Sequence, residues 1–340
     1  MPDVPAPRIT RRGLLAAGGA LGLGALLTAC GGGSTTGGAT DGGDGWSFTD
    51  DRGQKASAGA RPQRVVAYVG TAAALHDFGV GDRIAGVFGP TKLADGKPDP
   101  LAGGLDVDKV TILGNAWGEF NIEKYAALRP ELLVTNMYEP NALWFVPDDS
   151  KDKILPLAPS VGLTVAKVSL GRVLQRYSDL AASLGADLSA PTVTDAKTRF
   201  ERASETLRAA AKANGGIRVM AASASADLLY VSDPDVYADL SYFRELGVTF
   251  VDPANVTGGF FENLSWENAD KYPADLILLD SRTSALQPKD LGSKPTWTTL
   301  PAVKAGQVTP WLSEPRFSYA GCAPLIEALA TALRNAKKAS

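Results

Sequence analysis

The chain has 340 residues, 45 % of them hydrophobic, which is enough for two lobes with separate cores. Its formal net charge of −3 argues against nucleic-acid binding, and its two cysteines exclude a framework of several disulfides. One histidine, His76, leaves little for a histidine-based metal site or for acid–base catalysis.

The first 45 residues carry signs of export and anchoring. Residues 10–15, TRRGLL, form a twin-arginine pattern, and an uncharged segment follows that ends in LTAC at 27–30, which resembles a bacterial lipobox. An ordinary signal peptide and a transmembrane anchor are the alternatives. We expect residues 1–29 to be a twin-arginine lipoprotein signal peptide, Cys30 to be lipidated, and residues 30–45 to be a flexible glycine-rich tether.

Strands and helices alternate along the first half. Buried-strand runs and helix signals predict a hairpin at 46–55, strands at 64–68, 84–88 and 132–135, a short helix ending at Phe78-Gly79, a helix capped by Asn121 and an amphipathic helix at 172–184. This alternation indicates a mostly parallel sheet covered by helices.

One long helix is predicted over residues 191–214, roughly 34 Å in length. One apolar stripe faces the protein, made of Val193, Ala196, Phe200, Ala203, Leu207 and Ala210. The opposite face offers the charge pairs Asp195–Arg199 and Glu205–Arg208. The stretches on either side look alike, so we interpret this helix as a backbone that joins two related lobes.

The order of elements recurs after this helix. The sequence predicts strands at 217–221, 248–251 and 276–280, a helix at 236–246 and a further helix that opens at Ser265-Trp266-Glu267. When Glu123 is placed over Glu267, residues 131–134 fall on 275–278, and Phe78-Gly79-Val80 echoes Leu246-Gly247-Val248. The two halves are therefore predicted to share one pattern.

Several stretches in this order resemble the periplasmic binding proteins that deliver ferric siderophores, haem and cobalamin to ABC importers. They are FTDDRGQ at 48–54, RVVAYVG at 64–70, FGVGDRIAGV at 78–87, NIEKYAALRPELLV at 121–134, SWENADKYPADLILL at 265–279 and PTWTTLPAVKAGQVTPW at 295–311. The resemblance implies an α/β fold of two Rossmann-like lobes with mainly parallel sheets joined by one long backbone helix. We assign 46–188 to the N-terminal lobe, 189–214 to the helix and 215–340 to the C-terminal lobe.

The resemblance also implies partners and a mechanism. The family places a glutamate on each lobe that docks to the permease, and the matching positions are Glu123 and Glu267; both also suit the first turn of a helix. A monomer would capture its ligand between the lobes at the outer face of the bacterial cytoplasmic membrane and pass it to an importer permease driven by an ATPase subunit. No cofactor, resident metal or nucleic acid is implied.

Ligand-binding candidates lie on loops that leave strand ends or match the family's cleft. They are Tyr68, Trp117, Tyr138, Trp144, Phe260, Arg282, Trp311, Arg316 and Tyr319, with Met137 and Phe261 beside them. Each of these side chains could instead serve packing alone. Trp117 stands where hydroxamate-siderophore relatives tend to carry an arginine, which favours an apolar, stacked surface there.

An aromatic cleft with two arginines suits a neutral or weakly charged ferric hydroxamate better than a strongly anionic tris-catecholate, which needs more cations. Haem, with a tyrosine ligand, and cobalamin remain open. An exported enzyme and a surface sensor are the rivals from other classes. Against an enzyme, the sequence has no nucleophile elbow, dinucleotide fingerprint or phosphate-binding loop.

Overall fold

The computed structural model describes residues 45–339. The predicted signal peptide, Cys30 and nearly all of the predicted tether lie outside these residues. The chain divides into two units, and the second, Asp41–Ser340, holds both sheets described below. It begins with the predicted hairpin, an antiparallel pair of strands β1 (Trp46–Thr49) and β2 (Lys55–Ala58).

The N-terminal lobe is built on a five-stranded parallel sheet in the order β5-β4-β3-β6-β7. Its strands are β3 (Val65–Tyr68), β4 (Ile84–Phe88), β5 (Thr111–Ile112), β6 (Leu132–Met137) and β7 (Ser160–Thr164). The helices are α1 (Val69–Asp77), α2 (Ile122–Ala127), α3 (Lys151–Ile154) and α4 (Leu170–Ser183). The central strands β3 and β6 are buried along their whole length, as expected at the centre of a parallel sheet that is covered on both faces.

The C-terminal lobe is built on a six-stranded mixed sheet in which β11-β9-β8-β12-β13 form the main path and β10 pairs with β8. Its strands are β8 (Arg218–Ala224), β9 (Leu228–Ser232), β10 (Thr249–Phe250), β11 (Phe261–Ser265), β12 (Leu276–Asp280) and β13 (Val308–Trp311). The helices are α6 (Ala238–Glu245), α7 (Pro295–Thr299), α8 (Pro301–Lys304) and α9 (Tyr319–Asn335). β9 runs antiparallel to both β8 and β11, a feature that the sequence analysis did not predict.

The long helix between the two sheets is α5, Pro191–Ala213, with Pro191 in its first turn as predicted. The predicted stripe faces the core, and only Ala196 of its members is half-buried rather than buried. α5 packs along α9, and there the expected pairing of Arg199 is wrong: its guanidinium binds Glu327 of α9 through two hydrogen bonds of 2.8 and 2.7 Å. The long connection between the lobes is therefore reinforced by a second helix, α9, packed along α5.

The internal repeat has matching hydrogen bonds in both lobes. Glu131 accepts bonds from the backbone N–H groups just before β3, and Asp275 accepts one from the backbone N–H of Arg218 at the start of β8. Gly79 and Gly247 end α1 and α6 with φ of 96° and 99°, a left-handed conformation that glycine adopts without strain. Both lobes thus use the same carboxylate-to-backbone hydrogen bonds before a strand and the same glycine at the end of a helix.

One apolar core connects the two lobes. The same cluster contains Leu132 of β6, Leu207 of α5, Leu278 of β12 and Leu329 of α9, all buried. A wide opening of the lobes would expose this shared surface to water, so the fold opposes large hinge motions. Within residues 45–339, no helix combines the length and the apolarity needed to cross a bilayer.

Candidate functional site

A cavity of about 720 Å³ lies where the ends of β6 and β12 meet, with walls from both lobes. Parallel strands present their carboxyl ends at one edge, which is where ligands bind in such sheets. Five of the predicted ligand residues line it: Trp117, Tyr138, Trp144, Phe260 and Arg282. A second cavity, of about 530 Å³, lies beside the β1–β2 hairpin and contains none of the predicted ligand residues.

Aromatic rings cover the wall contributed by the N-terminal lobe. Trp144 lies between Trp117 and Tyr138, with ring centroids 4.9 and 4.8 Å away. Trp117 also meets the edge of Phe145 at 5.0 Å, yet it is 65 % exposed. An exposed indole supported by two other rings is a preformed surface on which a ligand can stack.

The opposite wall belongs to the C-terminal lobe. Phe260 and Phe261 precede and begin β11, and both line the cavity. The Phe260 ring meets the edge of Tyr237 at 6.1 Å and lies 5.8 Å from the ammonium of Lys167. Met137, by contrast, is buried at the end of β6 and does not line the cavity.

Glu314 is the polar centre of the cavity, and the sequence analysis missed it. Its Oε2 accepts hydrogen bonds from Tyr68 Oη at 2.8 Å and from Trp144 Nε1 at 3.0 Å, while Arg282 Nη1 donates to its Oε1. Tyr68 and Trp144 belong to the N-terminal lobe, whereas Glu314 and Arg282 belong to the C-terminal lobe. This carboxylate therefore ties the two lobes together at the cavity.

Arg282 is held between two carboxylates. Its Nε and Nη2 donate to Asp280 at 3.0 and 2.7 Å, and its Nη1 donates to Glu314. Burial acts to lower the pKa of Arg282, but Glu314 and Asp280 together raise the pKa above its usual range. Three of the five guanidinium N–H groups are thus engaged by the described residues, and the other two can meet a ligand.

The Tyr138 hydroxyl is buried and has no hydrogen-bond partner among residues 45–339. Burial, and next the negative charge of Glu314, raises the pKa of Tyr138 well above its ordinary value. The hydroxyl therefore stays protonated and can donate a hydrogen bond. Leaving such a group unpaired costs about 1–3 kcal/mol, so a ligand oxygen that accepts from it would gain that bond.

Two predicted ligand residues lie beneath the cavity instead of on its wall. Tyr68 is fully buried and its hydroxyl is committed to Glu314. Trp311 is buried at the end of β13, where its Nε1 donates to Asp239 at 2.8 Å. Burial raises the pKa of that carboxyl to about 6, although the Trp311 hydrogen bond acts in the opposite direction. Tyr68 and Trp311 support the site from below.

Two more predicted ligand residues face other parts of the fold. Arg316 pairs with Asp77 at the end of α1 at 3.0 Å, an ion pair between the lobes. Tyr319 begins α9 and packs edge-on against Phe78 and Phe200, with centroids 5.9 and 5.6 Å away. Neither side chain lines the cavity. The partners that engage them are distant in sequence, and for this reason the loop pattern alone could not place them.

The two predicted docking glutamates occupy equivalent places in the lobes, each before a central parallel strand. Glu123 is exposed in the first turn of α2, whose cap Asn121 accepts a 2.8 Å bond from Lys124 N. Glu267 is exposed too, but the helix that begins there is shorter than predicted: Trp266–Asn268 forms a single 3-10 turn after Ser265. Hydrogen bonds from the Glu267 backbone and from Ser265 lower the pKa of Glu267.

Within the described part of the chain, no group of three or more histidine, cysteine or acidic side chains could hold a metal ion. Cys322 is buried in α9, and burial raises the pKa of its thiol. The cavity therefore offers aromatic faces, the Tyr138 hydroxyl, the Arg282 guanidinium and several carboxylates for recognition.

A family model described as "Periplasmic binding protein" matches residues 65–315. Among solved structures, DesE, a ferric-siderophore receptor protein from Streptomyces coelicolor, is 54 % identical with a TM-score of 0.84; the match covers 87 % of this chain and all of DesE (100 %). No curated protein sequence matches at a significant level.

Two more distant structures share the fold. The petrobactin-binding protein YclQ from Bacillus subtilis is 15 % identical, with a TM-score of 0.66 over 86 % of this chain and 99 % of that one. The catecholate-siderophore binding protein VctP from Vibrio cholerae is 17 % identical, with a TM-score of 0.57 over 85 % and 99 %. At these identities the likeness concerns the two-lobed architecture alone.

Proposed function

Because this chain belongs to the periplasmic binding protein family, we propose that it captures a ferric siderophore between its lobes and delivers it to an ABC importer. The observation that carries the proposal is the cavity between the lobes, with its wall of contacting rings, Trp117, Trp144 and Tyr138, facing Arg282. The 54 % identity to a ferric-siderophore receptor supports the same ligand class. The protein acts by binding and release, not by catalysis.

A ferric hydroxamate is the favoured ligand. Three hydroxamates neutralise ferric iron, whereas three catecholates leave a strongly anionic complex whose charge must be matched by cations once it is desolvated. Arg282 is the one cation among the described residues of the cavity wall, and two carboxylates already bind it. The rings can bury the organic shell of the chelate, while Arg282 and the Tyr138 hydroxyl contact its oxygens.

Anchoring and docking complete the proposal. Lipidation of Cys30 after cleavage of residues 1–29 would hold the protein on the outer face of the bacterial cytoplasmic membrane, with residues 30–45 as the tether. Glu123 and Glu267 would bind arginines of the permease, and an ATPase subunit of the importer would supply the energy. The protein would act as a monomer.

A tryptophan-fluorescence titration with a ligand panel tests the function. The panel contains a ferric trihydroxamate, a ferric tris-catecholate, haem, cyanocobalamin and the iron-free hydroxamate. Because Trp117 and Trp144 line the cavity, we expect saturable quenching by the ferric trihydroxamate. Tight binding of haem or cobalamin alone would keep the importer role and overturn the ligand. Binding of none would favour the sensor or enzyme alternatives.

A further inference from the structure

Glu314 occupies an unusual position for an acidic residue in a cavity proposed to bind metal chelates. Its side chain is only 9 % exposed, yet it reaches the cavity wall. It accepts from two N-terminal-lobe donors, Tyr68 and Trp144, and from Arg282 of its own lobe. A buried carboxylate with three donors sits where an anionic group of a ligand would otherwise meet Arg282.

The charges around Arg282 do not sum to a cationic site. One guanidinium faces two carboxylates, Asp280 and Glu314. Three further acids, Glu139, Asp148 and Asp149, are exposed and line the same cavity, and among residues 45–339 only Asp148 has an ion-pair partner, Lys151 at 3.1 Å. An anionic ligand that enters this cavity would meet the net negative charge of Arg282, Asp280 and Glu314, which is weakly screened because both carboxylates are buried, whereas the three exposed acids are screened by water.

The two carboxylates that hold Arg282 are not equivalent. The Asp280 side chain is 0 % exposed and is also bound by Ser223 and Ser313, so it belongs to the interior below the cavity. Glu314 lines the cavity itself and engages the guanidinium nitrogen, Nη1, that Asp280 leaves free. Glu314 is therefore the carboxylate whose charge a ligand meets.

We propose that Glu314 is a specificity-determining residue: it occupies Arg282 and adds a negative charge, so the cavity accepts neutral or cationic ferric chelates and rejects anionic ones. This inference rests on the proposed function and names the residue that sets the charge of the ligand. Glu314 acts in place of a ligand carboxylate or catecholate oxygen. Only a chelate that does not need the full charge of Arg282 binds well.

The test uses three ligands with one iron-binding shell. They are a linear ferric trihydroxamate with a free terminal amine, its N-acetyl derivative and its N-succinyl derivative, which are positive, neutral and negative overall. For the unmodified protein we expect affinity to fall in that order, with added salt weakening the cationic ligand and strengthening the anionic one. In Glu314→Gln, affinity for the anionic derivative should rise by about tenfold relative to the neutral one.

Glu201→Gln is the matched control, because it removes the same charge from an exposed position on α5. It should leave the order of affinities unchanged. Glu314→Asp should keep the discrimination against the anionic ligand, and thermal melts establish that each variant is folded. The salt dependence of the unmodified protein tests the charge argument even if Glu314→Gln does not fold.

The outcomes separate this inference from the proposed function. If no member of the series binds the unmodified protein, the proposed function fails, and the inference fails with it. If the neutral chelate binds but Glu314→Gln discriminates between charges as the unmodified protein does, the inference alone is wrong. An opposite salt dependence, with salt weakening the anionic ligand, would also overturn it.

Discussion

Replacing Tyr138 by phenylalanine separates ligand recognition from folding. The Tyr138 hydroxyl is buried without a partner among residues 45–339, and its ring packs against Trp144 at 4.8 Å. The variant keeps the ring and loses only the oxygen, so it breaks no hydrogen bond within the described protein. We expect weaker binding of the ferric chelate with no loss of stability.

The magnitudes follow from the hydroxyl's two environments. A neutral hydrogen bond to the ligand contributes about 0.5–1.5 kcal/mol, so affinity should fall by roughly 2–12-fold. An unpaired buried hydroxyl costs about 1–3 kcal/mol, so the free energy of unfolding should stay constant or rise by up to that amount. Tyr125→Phe is the control, because its hydroxyl is also buried and unpartnered within the described residues but lies outside the cavity.

Urea denaturation and isothermal titration calorimetry of both variants provide the two readouts. Tyr125→Phe should be at least as stable as the unmodified protein and should bind equally well. A lower urea midpoint for Tyr138→Phe would mean that the hydroxyl has an internal partner after all. Equal affinity for Tyr138→Phe would mean that it does not touch the ligand, and the assignment of this wall as the binding surface would be refuted.

Three other variants have defined outcomes. Trp117→Ala should weaken chelate binding about tenfold, because a stacking face is lost, and change the free energy of unfolding by less than about 0.5 kcal/mol, as measured by the same two methods. Burial raises the pKa of Asp239 from 3.8 to about 6, so the folded state binds the extra proton and stability falls as the pH rises through that window. Asp239→Asn should remove about 3 kcal/mol of this fall, measured as urea midpoints at about pH 4 and about pH 7.5; an unchanged pH dependence would contradict the assignment. Charge reversal at Glu123 and Glu267 together should abolish uptake of radiolabelled iron in cells while leaving chelate affinity unchanged, and normal uptake would exclude their docking role.

Local sequence signals were sufficient for the frame of the fold. Ile84–Phe88 and Leu276–Asp280 are strands with the predicted bounds, because continuous apolar runs flanked by turn residues specify buried strands. α5 follows from its apolar stripe and its proline start. Gly79 and Gly247 end equivalent helices because both need a left-handed conformation.

What the sequence left open depends on partners far along the chain. The antiparallel strand β9 pairs with β11, about thirty residues later, and no short-range signal marks that pairing. Arg199 forms its hydrogen bonds with Glu327 on the neighbouring helix α9, although Asp195 lies one turn away on its own helix. Tertiary packing determines these strand and side-chain partners, and the spacing of residues along one helix or strand does not reveal them.

The candidate site likewise has residues that the sequence predicted and one that it did not. Five of its aromatic and cationic side chains were predicted from loops at strand ends, and these line one cavity. Glu314 was missed because Ser313-Glu314-Pro315 has the composition of an exposed turn. Strand topology is the signal that could have identified Glu314. The loop that contains Glu314 follows β13, and β13 pairs in parallel with β12. The residues after both strands therefore lie at the same edge of the sheet, where Arg282 is found.

A crystal structure of the protein with a ferric trihydroxamate tests the central claim most directly. The account predicts one chelate between the lobes, with its organic shell against Trp117 and Trp144 and its oxygens within hydrogen-bond distance of Arg282 and Tyr138. A chelate bound in the cavity beside the β1–β2 hairpin, or on the surface of one lobe alone, would contradict it.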